Sequence, residues 1–230
     1  MVGNRLPVMS VIRRFIQEHL YMCMSVAMIG CLLLYPSLEK LHSGVATISL
    51  IDLTLVLLAI RIAHNSRRMR VPLAVIAVVA VVLDLMRIYE VPQVTTIATL
   101  YFCLFYLFAI YSTLKYVLRA GAITLDKLFA SLVVYMAMAF FWALVFDLIY
   151  EFDPSAFGFS TRLAENGVVL YDFLYFSFVT LTTTGYGDIV PYSHQAQSFA
   201  IVEQMVGVLY VAILVARLTN LYTAGDGVSE

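Results

Sequence analysis

Apolar residues run along this chain in long blocks, broken by short polar stretches and by glycines and prolines. A helix needs ~20 largely apolar residues to cross a bilayer. Six blocks reach that length: 19–38, 45–63, 71–90, 94–118, 128–150 and 195–222. Pro72 opens the third block, where its missing N–H costs nothing. Pro36, Gly44, Pro92 and Gly121 mark the connections. The region 151–194 differs. It opens on Glu151, Asp153 and Pro154, read as a polar loop, and then carries an apolar-aromatic run, Tyr171 to Thr183, too short to span. Such a run can enter the membrane and return, provided protein or a water-filled path satisfies its backbone. The pattern predicts an all-α membrane protein with six transmembrane helices and a re-entrant segment between the fifth and the sixth.

Composition agrees. Hydrophobic residues make up 62% of the 230, charged residues 13%, and the mean hydropathy is +0.91. Soluble domains run nearer ~45–50% apolar and ~25% charged, so a water-soluble enzyme is excluded. A net charge of -1 with no basic tract also excludes a nucleic-acid partner. Cys23, Cys31 and Cys103 all lie inside apolar blocks and read as small hydrophobes. Arg5, Arg13 and Arg14 precede the first block without a clear cleavage site, so that block reads as a retained helix.

The cations give an orientation. With alternating crossings, Arg5, Arg13, Arg14, Arg61, Arg67, Arg68, Arg70, Lys115, Arg119, Lys127 and Arg217 fall on one side; Lys40, Arg87 and Arg162 fall on the other. Positive residues favour the cytoplasm. The expectation is a cell-membrane protein with both termini cytoplasmic and the re-entrant segment opening outward.

That segment continues Thr182-Thr183-Thr184-Gly185-Tyr186-Gly187-Asp188. The run closely resembles the potassium-channel signature, and the helix, re-entrant loop and helix around it resemble that family's pore module. Six helices with the pore last resemble the voltage-gated-like superfamily of tetrameric cation channels. The resemblance implies a pore helix over 171–183 and a selectivity filter over 183–188. It implies K⁺ ligands from the carbonyls of Thr183, Thr184, Gly185 and Tyr186, with Gly187 completing the filter and the Tyr186 ring packed outward. The residue types suit this. Carbonyl dipoles replace an ion's hydration shell if several point inward, and Gly185 and Gly187 can take positive φ without penalty. Thr184 stands where the family most often has Val or Ile, and its side chain is expected behind the filter. One filter per chain implies a homotetramer. No cofactor is expected beyond the K⁺ ions.

Around the filter, the resemblance implies an acidic ring from Asp188, hydrogen-bonded to a pore-helix side chain; by register that partner is Tyr175. Glu203 is an acid among Ile201, Val202, Met205 and Val206, which at membrane depth is a functional hypothesis by default. It is expected to bond Thr184 or Thr180 behind the filter, the alternative being exposure at the outer helix end. Gly207, 20 residues after Gly187, stands at the spacing of a hinge glycine in similar channels, with close helix packing as the plainer role. Register then directs Val208, Val211, Val215 and Thr219 toward a cavity.

The fourth block lacks what voltage sensing needs. Residues 94–114 contain no Lys or Arg but carry Tyr101, Phe102, Phe105, Tyr106, Phe108 and Tyr111. Asp52, Asp84 and Arg87 remain as intramembrane charges, Asp84 and Arg87 on one helix face and Asp52 a cross-helix candidate for Arg87. The expected organisation is a cytoplasmic segment over 1–18, a sensor-like but non-sensing four-helix domain over 19–120, and a pore domain over 121–224. The expected function is passive K⁺ conduction, not classically voltage-gated, with membrane lipid, K⁺, further copies of the chain and a possible regulatory subunit or ligand as partners. The alternatives are a non-selective Na⁺/K⁺ channel, a K⁺ transporter or a regulatory channel subunit.

Overall fold

In the computed structural model, the described residues are 19–39, 92–119, 124–161 and 167–226, together with 75, 76, 78–80, 82, 83 and 86. They are mostly helical. Helix α1 covers Leu20–Glu39, α2 Pro92–Val117, α3 Leu125–Phe152, α4 Leu170–Leu181 and α5 His194–Asp226. Two short strands, β1 (Phe157–Phe159) and β2 (Ile189–Pro191), and a 3-10 turn over Pro154–Ala156 accompany them. The fragments within 75–86 are helical. Among the described residues, three helices are long and apolar enough to cross a membrane: Thr95–Val117, Leu125–Phe152 and His194–Arg217. The predicted span 45–63, most of 71–90, the segment 1–18, Asp52, Asp84 and Arg87 lie outside the described residues.

The chain divides into two compact units, Met1–Val81 with Ser112–Val134, and Val82–Tyr111 with Tyr135–Glu230. In the first, Asp126 gathers three helix ends. Its carboxylate accepts from the backbone N–H of Tyr21 at 3.2 Å and from the Tyr116 hydroxyl at 3.0 Å. The Tyr21 and Tyr116 rings stack, with centroids 5.1 Å apart. An N-terminal N–H of α1 that has no intrahelical acceptor is thus satisfied by an acid, as the helix dipole favours.

In the second unit, α3 is the central helix. Ala137, Phe140, Ala143, Phe146 and Ile149 are buried along it. Tyr106 of α2 lies parallel on Phe140, centroids 5.8 Å apart, so part of the aromatic face of the fourth block is packing surface. At the C-terminal end of α3, Phe146 meets Phe176 of α4 at 5.0 Å and Phe157 of β1 meets Phe173 at 5.2 Å. Aromatic pairs of this kind add about 0.5–1.5 kcal/mol each beyond their area. This cluster seats α4.

Helix α5 is packed on one stripe. Ala196, Ala200, Glu203 and Gly207 are buried, and Tyr210, Leu214 and Arg217 half-buried. They follow one another alternately by four and three residues, which keeps them on a single helix face. The remaining faces are exposed and mainly apolar beyond Gln204, Val208, Val211 and Val215 among them.

The region 151–169, expected as a polar loop, contains a strand. β1 pairs antiparallel with β2, Phe157 opposite Pro191, Gly158 opposite Val190 and Phe159 opposite Ile189. Strands of three residues leave no readable alternation, so this pairing had no sequence signal.

Candidate functional site

The site is built from the end of α4, the turn that follows it and the elements behind it. Helix α4 is capped by Val169, whose N–H donates to the Asp172 carboxylate at 2.8 Å, half of a capping box. It ends at Leu181, two residues before the predicted end at 183. The last four carbonyls of a helix have no intrahelical partner, and here each one finds a donor. The N–H of Thr182 donates to Phe178 O at 3.0 Å, that of Thr184 to Val179 O at 2.9 Å and that of Thr183 to Thr180 O at 2.9 Å. The Tyr135 hydroxyl of α3 donates to Leu181 O at 3.2 Å. Tyr135 itself stacks on Tyr210 of α5, centroids 6.0 Å apart.

Beyond α4 the backbone alternates in handedness. Thr183, Gly185 and Gly187 have φ of 57°, 61° and 80°, while Thr184 and Tyr186 between them stay on the ordinary side. Positive φ at the two glycines matches the reading of the sequence. At Thr183 it was not legible, because a non-glycine residue on that side costs roughly 1–2 kcal/mol and has to be held there by its surroundings. The bond from Thr183 N–H to the end of α4 is part of that hold. Residues 182–187 are exposed.

The side chains around this turn partly follow expectation. The Tyr175 hydroxyl lies beside the Asp188 side chain, within electrostatic reach of it. The Tyr175 and Tyr186 rings lie parallel, 6.3 Å between centroids, so Tyr186 leans on α4 of its own chain. Thr184 is exposed, and its hydroxyl pairs with that of Thr182 at 2.9 Å. Glu203 is buried, not exposed at a helix end, and it bonds neither Thr180 nor Thr184. Its Oε1 accepts from the Ser177 hydroxyl of α4. Register explains the difference: Ser177 stands one turn before Thr180 and Leu181, and Leu181 already packs on Gly207, one turn after Glu203 on α5. Thr180 is buried nearby.

The exit from the turn is stapled. Ser160 N–H donates to Asp188 O at 2.9 Å, just before the β1–β2 pairing begins. Past the pairing, the N–H groups of Tyr192 and Ser193 reach Ala156 O at 2.8 and 3.2 Å. The Tyr192 ring covers Gly158 so closely that a β-carbon there would sit 2.2 Å from the ring. On α5, Val208, Val211 and Val215 share the exposed surface, and the side chain of Thr219 lies outside the described residues.

Residues 123–224 match the family model described as ion channel. The matched stretch holds α3, α4, the alternating turn, both strands and nearly all of α5. It supports an ion channel in a membrane. The curated proteins give no match.

Proposed function

We propose that this chain is a K⁺-selective channel subunit that assembles as a homotetramer in the cell membrane, with both termini cytoplasmic. Residues 121–224 form the pore domain and 19–120 a peripheral domain without sensor charges. The observation that carries the reading is the alternation of handedness at Thr183, Gly185 and Gly187. In an ordinary extended strand successive carbonyls point to opposite sides. Alternating right- and left-handed residues turns them to one side, so a short stretch can present a file of oxygens to an ion. The ligands are the carbonyls of Thr183, Thr184, Gly185 and Tyr186. They replace the waters that a K⁺ ion sheds on entry.

Assembly into a ring is supported by what the turn exposes. Irregular backbone at membrane depth is tolerated only against protein or a water-filled cavity, never against lipid. The exposed stretch 182–187 therefore needs neighbouring copies and water around it. Four such stretches around one axis surround the ion. Asp188, beside Tyr175, places acidic charge at the outer mouth. Val208, Val211 and Val215 line the inner cavity, with Gly207 as the hinge candidate of α5. Gating does not follow voltage in the ordinary way, since residues 94–114 bring no Lys or Arg into the field.

The test is electrical. The purified chain is reconstituted and recorded in planar bilayers with asymmetric KCl and NaCl. A reversal potential at the K⁺ equilibrium value, lost in Gly185→Ala, supports the reading. A wild-type reversal near zero replaces it with a non-selective cation channel.

A further inference from the structure

Glu203 and Ser177 are both fully buried, and the Ser177 hydroxyl donates to Glu203 Oε1. Glu203 Oε2 is buried as well and has no hydrogen-bond partner among the described residues. On stability alone this is a poor choice of residue. A buried carboxyl with one of its oxygens unsatisfied is disfavoured against an apolar side chain of similar volume. The neighbours on the same stripe of α5, Ala200 and Gly207, show that this face can be made of small apolar residues. An acid retained at membrane depth points to a role other than packing.

Its place suggests which role. Ser177 lies two residues before Val179 and three before Thr180 on α4. The carbonyls of Val179 and Thr180 hold the N–H groups of Thr184 and Thr183. A hydrogen bond from Ser177 to α5 therefore fixes the stretch of helix from which the alternating turn is suspended. One turn further along, Leu181 is packed against Gly207. That contact sets how closely the helices approach. A hydrogen bond adds direction, because it weakens steeply when the two groups slide or rotate past each other.

We propose that Glu203 is a positioning residue for ion conduction, acting through Ser177 to hold α4 in register with α5 and so keep Thr183 and Thr184 in the conducting geometry. The inference rests on the proposed function and adds a residue pair that governs how long the filter stays conductive, not which ion it passes.

The experiment records single channels of the full chain in K⁺ bilayers for wild type, Ser177→Ala, Glu203→Leu, Glu203→Gln and the Ser177→Ala/Glu203→Leu double variant, with oligomer mass checked in parallel. Ser177→Ala and Glu203→Leu are expected to shorten the mean conducting lifetime about tenfold, equal to about 1.4 kcal/mol, with the reversal potential and the oligomer unchanged. The double variant matches the singles, because one bond is lost only once. Glu203→Gln keeps an acceptor oxygen for Ser177 and stays within about twofold of wild type, as a bond of ordinary strength requires. Wild-type lifetimes in Ser177→Ala, multiplied effects in the double variant, or a Gln variant as short-lived as Leu would each overturn the inference. If Glu203→Leu does not assemble, Ser177→Ala and Glu203→Gln decide it alone. A wild-type chain that conducts no K⁺ overturns the proposed function itself. A K⁺-selective wild type indifferent to Ser177→Ala overturns only this inference.

Discussion

The Leu181 carbonyl oxygen lies 2.5 Å from the point where a β-carbon on Gly207 would stand. The obstacle is backbone, and it is the last carbonyl of α4, already engaged by the Tyr135 hydroxyl. Helix α5 runs unbroken through this position. Gly207 thus sets the distance between the two helices, whatever bending it also allows.

Gly207→Ala is expected to push α4 away from α5 and destabilise the protein by about 1–3 kcal/mol, the usual cost of overpacking. Thermal unfolding in detergent micelles, alongside K⁺ flux from liposomes, measures it. An alanine variant as stable and as active as wild type would mean that the helices can part without harm.

Gly185→Ala places a β-carbon on a residue at φ 61°. No atom of the same chain would meet that carbon within 4 Å, so the cost within the chain is conformational, roughly 1–2 kcal/mol. The expected outcome is a preserved oligomer with lost K⁺ selectivity, read from reversal potentials. Unchanged selectivity contradicts the filter assignment.

Tyr135→Phe removes the donor to Leu181 O but keeps the ring that stacks on Tyr210. The carbonyl is then left without that partner, and a loss of about 1 kcal/mol follows. Chemical denaturation of wild type and variant side by side checks the figure. A variant indistinguishable from wild type would show that another donor takes the carbonyl.

Asp126→Asn and Tyr116→Phe should behave as one unit. Tyr116→Phe removes the hydroxyl–carboxylate bond and Asp126→Asn takes away its charge, while Asn keeps an acceptor for the Tyr21 N–H. Charge-assisted bonds contribute about 1.5–3 kcal/mol, so a double-mutant cycle on thermal stability should give a coupling well above that of unrelated sites. Simple additivity would place the stabilisation elsewhere.

Much of this was readable in the sequence, for reasons that differ by element. The helices at 20–39, 92–117, 125–152 and 194–226 fall within a few residues of their apolar blocks, because a bilayer demands length and apolarity rather than any fine pattern. Gly185 and Gly187 were legible because glycine is the residue that takes positive φ without cost. That Tyr175 stands near Asp188 was legible from the resemblance. The rest depends on where separate helices meet. Ser177 as the partner of Glu203 requires knowing how α4 slides along α5, and no single residue encodes that. Thr183 adopts its left-handed backbone because the end of α4 holds the N–H groups of Thr183 and Thr184, against its own preference. The β1–β2 pairing rests on three residues per strand, held by backbone bonds that any side chain permits.

That pairing has a consequence for Asp188. Strand partners exchange in whole residues, and the side-chain period of two means that a slip of one turns every side chain to the opposite face. The nearest alternative position for the end of the turn is therefore a full step away, about 3.3 Å, with Tyr192 lifted off Gly158. The end of the turn is indexed like a ratchet: it holds one notch or leaves it, and no gradual drift lies between.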